Sequence, residues 1–170
     1  MLAKWGGTFL ATSLVSSGNH LLVGDALRSV VSLQVSEDGR KLIENARENT
    51  TYGIMSLQMM SDDKHIAADQ DMNIFTMTKT ASAPNSVDQV LKPAGLFHLG
   101  EIVNKIQHGS LVHKFAQSGL GARGQLIYAT ASGTLGVVAD LDLEQGKLLS
   151  DLQRNMRRVL KGLGDVEQQE

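Results

Sequence analysis

Short apolar runs recur along the chain, and a few small or polar residues interrupt each of them. The clearest run, His20 to Gly24, is separated by Asp25-Ala26 from a second run over Leu27 to Val35. Two further pairs of runs have the same form, with Gln70-Asp71 or Ser132-Gly133 between them. This pattern is typical of β-hairpins with small or polar turn residues. The predicted hairpin strands are His20–Gly24, Leu27–Val35, His65–Asp69, Met72–Thr78, Gln125–Ala131 and Thr134–Leu141.

Further strands are expected between these hairpins, at Thr8–Val15, Ile54–Met60, Leu96–Leu99 and Ile102–Gln107. The number of residues between the first and second hairpins matches the ~40–45 residues of one four-stranded propeller blade. The second interval is longer, which predicts a surface-loop insertion at residues 81–93, where Ser, Ala, Asn and Pro are frequent. The predicted fold class is therefore mainly β, with residues 1–141 forming an open, WD40-like partial propeller of about three blades. Because closed propellers have about 4–8 blades, this arc predicts a fragment, or a domain that needs further blades.

The apolar period changes near residue 142. Leucine, methionine and valine recur at every third or fourth position from Leu148 to Leu163, which predicts one C-terminal amphipathic α-helix at residues 142–164. Asp142 is a candidate N-cap, and Gly162 and Gly164 are candidate stops. Residues 165–170 are predicted to be a polar tail.

Composition narrows the classes of function. Apolar residues make up 42% of the 170 residues and charged residues 20%, as in globular domains. A net charge of −2 gives no general basic field for nucleic acid, and an aromatic content of 4% leaves few platforms for base stacking. The chain has no cysteine, which excludes disulfides, thiol catalysis and zinc sites of the cysteine type. No apolar stretch approaches the ~20 residues that span a bilayer, so no membrane partner is expected.

Residues with candidate chemistry are few. Gly119, Gly121 and Gly124 have the dinucleotide-binding spacing, but a strand is predicted after them instead of before them, which favours a loop. The five histidines show no metal-ligand spacing, so no catalytic residue, cofactor or metal is predicted. The helix carries a possible basic stripe, either a solvated face that suits the negative end of the helix dipole or a contact for phosphate or an acidic partner. The stripe consists of Arg154, Arg157, Arg158 and Lys161.

One stretch is more specific than these patterns. Residues 95–104 read GLFHLGEIVN and residues 108–112 read HGSLV. Together with LLVGDALRSVVSL at residues 21–33 and GQLIYATASGTLGVVADL at residues 124–141, this wording resembles one superfamily. Its members are the damaged-DNA-binding, cleavage-and-polyadenylation factor A and splicing-factor 3b subunits, and the chain is most similar to the large propeller subunit of the damaged-DNA-binding family. The resemblance implies part of that family's third propeller, followed by the first helix of its C-terminal domain.

The resemblance also implies a function, namely a non-catalytic adaptor of cullin-4-type ubiquitin ligases, linked to DNA repair and protein ubiquitination. The implied partners are helical segments of substrate receptors and the remaining propellers of the same family protein, with nucleic acid contacted indirectly if at all. The implied location is the nucleus, and also the cytoplasm. The receptor-contacting positions of the family fall on Arg28, Arg47, Ile102, Asn104 and Ala131.

The chain departs from the family pattern at two places. Tyr52-Gly53 stands where the family carries a tryptophan, and Thr12 and Ser13 occupy apolar or aromatic contact positions. Both changes remove anchor area of the kind that dominates binding energy. Two alternatives stay open: a nucleic-acid-binding subunit of an RNA-processing complex for cleavage, polyadenylation or splicing, and an inactive truncated fragment.

Overall fold

The computed structural model describes residues 3–83, 89–109 and 123–160. The first blade comprises strands β1 (Ala11–Ser17), β2 (His20–Asp25), β3 (Ser29–Val35) and β4 (Leu42–Arg47). The second comprises β5 (Ile54–Met59), β6 (Lys64–Asp69), β7 (Asn73–Ala81) and β8 (Gln89–His98). The third comprises β9 (Val103–His108), β10 (Arg123–Thr130) and β11 (Leu135–Asp140), and the helix α1 (Leu143–Val159) follows. The predicted mainly-β fold with a C-terminal helix is confirmed.

Consecutive strands pair antiparallel within each blade. The outer strands of the first two blades also touch, because β4 and β8 pair in parallel through Ala46 with Gln89 and Arg47 with Val90. Strand β5 contacts both β1 and β9, so the first strand of each blade lies on the inner side of the arc. The arrangement is the partial β-propeller that the sequence predicts.

Two apolar clusters fill the spaces between neighbouring blades. One includes Leu22 and Phe75 and joins the first and second blades, and the other includes Ile66 and Ile106 and joins the second and third. Because successive side chains of a strand point to opposite faces, Ala67 enters the first cluster whereas Ile66 enters the second. The strand β6 of the middle blade is thus buried on both of its faces, whereas its outer strand β8 is largely exposed.

Gly24 allows the first two blades to approach closely. A Cβ atom at this position would lie 2.6 Å from side-chain atoms of both Ile54 and Leu57 on β5. Any other residue would force the inner strand of the second blade outward, which is a common reason for glycine inside a strand.

The central hairpin turns are one residue longer than predicted. Three residues separate the two ends of each turn: Asp25 and Ser29, Asp69 and Asn73, Thr130 and Thr134. In every case the side chain at the first position accepts a backbone N–H hydrogen bond, which stabilises the wider turn. Met72 and Gly133 close their turns with left-handed φ angles of 64° and 91°. The expectation of two-residue turns was wrong.

Several element boundaries also differ from the sequence prediction, among them the start of β1, which lies at Ala11 and not at Thr8. Residues 89–93 were predicted to be part of a loop at 81–93, but they form the start of β8 and pair with β7. Pro93 lies opposite Met77, next to a register shift where its missing N–H is tolerated. Helix α1 begins after its N-cap Asp142 as predicted, but it ends at Val159, before the predicted stop at Gly162. The polar tail at 165–170 lies outside the described residues.

Candidate docking face

The three central turns lie at the same end of their blades, next to the segments that lead into the inner strands. In each blade, the first turn residue donates its backbone N–H to the carbonyl just before the inner strand. The pairs are Ala26 with Leu10 (2.9 Å), Gln70 with Gly53 (2.8 Å) and Ala131 with Ile102 (2.8 Å). We call this end of the molecule, formed by residues 7–12, 26–28, 47–55, 70–72, 99–104 and 131–134, the docking face.

A β-bulge at the start of each inner strand gives the docking face its second repeated feature. The pairing register shifts at Thr12 in β1, at Met55 in β5 and at Asn104 in β9. All three bulged residues are exposed. Since bulges redirect side chains at sheet ends, each blade places one partly or fully exposed side chain at an equivalent position on this face.

Arg28 occupies the turn of the first blade and is exposed. Its backbone N–H donates to Oδ1 of Asp25 at 3.1 Å, and its Nη1 donates to the carbonyl of Gly7 at 3.3 Å. The latter contact is long, so most of the guanidinium group stays available to a ligand.

Arg47, the last residue of β4, lies at the same end of the blade but is more engaged. Its Nε and Nη2 donate to the two carboxylate oxygens of Glu44 at 2.8 and 2.9 Å, and its side chain is 27% exposed. This bidentate bond with Glu44 raises the pKa of Arg47. A ligand carboxylate would therefore compete with Glu44 for this guanidinium fork.

Ile102, Asn104 and Ala131 come together where the third blade begins. The segment before β9 is held to the turn by Glu101, whose carboxylate accepts hydrogen bonds from three hydroxyl groups. The donors are Thr130 (2.6 Å), Ser132 and Thr134 (3.2 Å). These bonds, that of Ser132 first, lower the pKa of Glu101. The cluster fixes half-buried Ile102 beside exposed Asn104 and Ala131.

The five sequence-predicted contact residues therefore lie on one face, in two groups. Arg28 and Arg47 belong to the first blade, and the other three belong to the third. Sequence analysis did not assign the exposed apolar side chains that share this face, namely Phe9, Leu10, Leu27, Met55 and Met72. In the structure Leu10 is the counterpart of Ile102 and Met55 is the counterpart of Asn104, but the number of residues between this segment and the turn differs from blade to blade, so no fixed sequence spacing identifies them.

The basic stripe lies on a different element. Arg154 is paired with Asp151 at 2.6 Å, Arg157 and Arg158 occupy the last turn of α1, and Lys161 is outside the described residues. Helix α1 follows the end of β11 that is opposite the turn at 131–133, and no residue of the helix is buried. The stripe is thus separate from the docking face.

The described residues offer few other candidate functional sites. Residues 3–83, 89–109 and 123–160 contain no group of His, Cys, Asp or Glu side chains that could hold a metal ion. Over the same ranges, no helix is long and apolar enough to cross a membrane. Of the glycine motif, residues 119–122 lie outside the described ranges, and its last glycine, Gly124, lies within strand β10.

The architecture is that of a β-propeller segment with one face formed by turns and inter-blade linkers. The chain matches the family model described as "CPSF A subunit region" over residues 2–170, and it belongs to this family. It is 31% identical to DNA damage-binding protein 1 of Solanum lycopersicum and 32% identical to DNA damage-binding protein 1b of Arabidopsis thaliana, each over 165 residues. DNA damage-binding protein 1 of Oryza sativa subsp. japonica is 31% identical over the same length. Each match covers 96% of this chain and 15% of the relative, so the chain spans about 15% of the length of these proteins. The superfamily resemblance is confirmed.

Proposed function

We propose that this chain is a non-catalytic scaffold whose docking face binds helical segments of substrate receptors, in a ubiquitin-ligase assembly linked to DNA repair. The observation that carries the proposal is the shared location of Arg28, Arg47, Ile102, Asn104 and Ala131 at one end of the blades. The relatives named DNA damage-binding protein 1 support the same assignment.

The docking face offers both kinds of contact that an amphipathic helix requires. Phe9, Leu10 and Leu27 are each more than half exposed and lie beside Arg28. Exposed apolar side chains supply anchor area, while an arginine fork binds a carboxylate with defined geometry. An amphipathic helix with an apolar face flanked by acidic residues matches this arrangement.

The two departures from the family pattern have a structural explanation. The Thr12 hydroxyl group bonds to the carbonyls of Ile54 (2.5 Å) and Gly24 (3.2 Å), and the ring centroid of Tyr52 lies 4.6 Å from that of Phe75. Thr12 thus connects the first two blades, and Tyr52 packs against the apolar cluster between them. The apolar anchors of the docking face are then Phe9 and Leu10.

The test is binding of helical peptides by the 170-residue chain. A displayed library of amphipathic helices is selected on the wild-type protein, and the dissociation constants of the selected peptides are measured by titration. We expect Arg28→Glu together with Arg47→Glu to abolish binding, because two attractive charges become repulsive.

The matched control is Arg40→Glu with Lys41→Glu. These exposed residues lie in the β3–β4 turn, at the opposite end of the same blade. The control changes the net charge by the same amount and should leave affinity unchanged. Equal loss in both double variants would indicate non-specific charge attraction, and unchanged binding by the Arg28/Arg47 variant would refute the proposed function.

The second proposed partner is the set of remaining propellers of a family protein. Co-expression of this chain with the other propellers of DNA damage-binding protein 1b, followed by pull-down, tests this association. A nuclear location of the chain is part of the same proposal, and imaging of a fluorescent fusion measures it. Failure to co-purify, or exclusion from the nucleus, would contradict the respective part.

A further inference from the structure

Asp25 connects two segments of the docking face, one that carries Phe9 and Leu10 and one that carries Leu27 and Arg28. Its Oδ2 accepts hydrogen bonds from the backbone N–H groups of Phe9 (2.5 Å) and Leu10 (3.1 Å). Its Oδ1 accepts from those of Leu27 (2.8 Å) and Arg28 (3.1 Å). The residue has no exposed surface. One buried carboxylate therefore fixes the backbone of four exposed residues.

The charge of this carboxylate is retained despite its position. Burial alone would raise the pKa of Asp25, but the backbone hydrogen bonds from Leu27, Phe9, Leu10 and Arg28 outweigh burial and lower it. A carboxylate that accepts several N–H groups is stabilised in its ionised form. Hydrogen bonds to a charged group are also stronger than bonds between neutral groups.

The second blade connects the same places differently. Among the described residues, the side chain of Asp69 bonds to the end of its own turn, where it accepts from the backbone N–H and the side-chain Nδ2 of Asn73, both at 2.9 Å. The turn is joined to the segment before β5 by the backbone bond from Gln70 to Gly53 (2.8 Å). The carbonyl of Met72 accepts from Leu99 (2.9 Å) and Gly100 (3.2 Å), which belong to the segment before β9. Asp69 thus stabilises a turn without joining it to a second segment.

In the third blade a side chain also connects the turn with the segment before the inner strand, but the acid and its donors have exchanged places. There the acid, Glu101, belongs to the segment before the inner strand, and the turn supplies the hydroxyl groups. The two blades that carry the proposed contact residues both have an acidic link, and the blade between them has none of this kind among the described residues.

We propose that Asp25 is a positioning residue that holds Arg28, Phe9 and Leu10 in the arrangement that binds a helical segment. This inference rests on the proposed function of the docking face. A fixed arrangement removes the conformational cost of ordering these side chains at binding, so its loss weakens affinity without removing any contact residue.

Asp25→Asn is the informative substitution because it keeps the size of the side chain. Its amide oxygen still accepts hydrogen bonds from two backbone N–H groups. Its NH₂ group is itself a donor, so the other two backbone N–H groups lose their acceptor. Asp69→Asn is the matched control, because it changes the equivalent residue in a turn that carries none of the five proposed contact residues. Both variants are made in the 170-residue chain.

Two measurements are combined. Amide hydrogen exchange of the protein alone should become faster at residues 9, 10, 27 and 28 in Asp25→Asn, and it should be unchanged at these residues in Asp69→Asn. The library-selected peptide that loses binding in Arg28→Glu should bind Asp25→Asn about tenfold more weakly, which corresponds to ~1.4 kcal/mol of binding free energy. The Asp69→Asn variant should bind it like the wild type.

Several outcomes would overturn the inference. Unchanged exchange at residues 9, 10, 27 and 28 in Asp25→Asn shows that the carboxylate does not hold them. Faster exchange with unaltered affinity for an Arg28-dependent peptide shows that the fixed arrangement is not needed. A library that yields no Arg28-dependent peptide refutes the proposed function itself, and this inference with it. If Asp25→Asn does not fold, Asp25→Glu keeps the charge, displaces it by one methylene group, and is judged by the same two measurements.

Discussion

The second and third blades contain similar hairpins but differ in how their strands are covered. Strand β6 of the second blade is buried at every position from His65 to Asp69, because blades pack on both of its faces. Strand β11 of the third blade alternates between exposed and half-buried residues. A groove of about 490 Å³ lies between the two blades, lined by Leu96 and Phe97 on one side and Val137 on the other. Burial between blades, and not hairpin formation itself, therefore distinguishes the most stable part of the molecule.

The largest expected effect is on the middle blade. Phe75 is 1% exposed and lies between the first two blades. Phe75→Ala should lower the free energy of unfolding by about 3–5 kcal/mol, through lost burial and an unfilled cavity. Val137→Ala, on the partly exposed β11, should cost roughly 0.5 kcal/mol. Urea denaturation of both variants measures their free energies of unfolding. An equal decrease in the two variants would refute the conclusion that burial between blades makes the second blade more stable than the third.

The same contrast explains which elements could be predicted from the sequence. The hairpins were predictable because strand runs and turn residues are local signals. The start of β8 was missed because residues 89–93 include Pro93, and their strand conformation depends on pairing with β7. The end of α1 was misplaced because no residue of the helix is buried, and helix length depends on such packing.

Some residues of the candidate site could likewise be predicted from the sequence, and others could not. The five contact residues followed from resemblance, and the fold brings them to one face. Phe9 and Leu10 were missed because apolar residues there were assigned to a strand at Thr8–Val15, whereas β1 begins at Ala11. Their N–H groups bond to the side chain of Asp25 instead of to backbone carbonyls of β2, a contact between residues far apart in sequence.

A second, smaller effect concerns pH and again belongs to the middle blade. His65 is 2% exposed, and neither ring nitrogen has a hydrogen-bond partner among the described residues. Burial, assisted by Lys79, lowers the pKa of His65 to about 4, although Asp63 and Asp62 act in the opposite direction. The neutral ring is thus the form that the fold accommodates.

The direction of the pH effect follows from this lowered pKa. The unfolded chain binds a proton at His65 near pH ~6.5, but the folded chain does so only near pH 4. Stability contributed by the neutral ring is therefore complete above pH ~6.5 and is lost as the pH falls towards 4. Urea denaturation should give a free energy of unfolding about 2 kcal/mol lower at pH 5 than at pH 7.

Two variants isolate the contribution of His65. His65→Met removes the titrating group from the buried site. The decrease in the free energy of unfolding between pH 7 and pH 5 should therefore be smaller in this variant than in the wild type, by about the same 2 kcal/mol. His108→Gln changes an exposed histidine and should keep the wild-type pH dependence. If the wild type and His65→Met lose the same stability between pH 7 and pH 5, another group is responsible.

The smallest expected effect concerns the one ion pair among the described residues that joins the second blade to β11. Nζ of Lys64 lies 3.0 Å from Oδ1 of Asp140, and both side chains are partly exposed. Exposed pairs of this kind contribute about 0.2–1 kcal/mol, because solvent screens the attraction. A double-mutant cycle with Lys64→Ala and Asp140→Ala measures the coupling, which should shrink further in ~1 M salt. A coupling above ~2 kcal/mol would exceed what an exposed pair provides. It would show that β11 is held to the middle blade as firmly as the inner strands are, and the contrast between the two blades would then no longer hold.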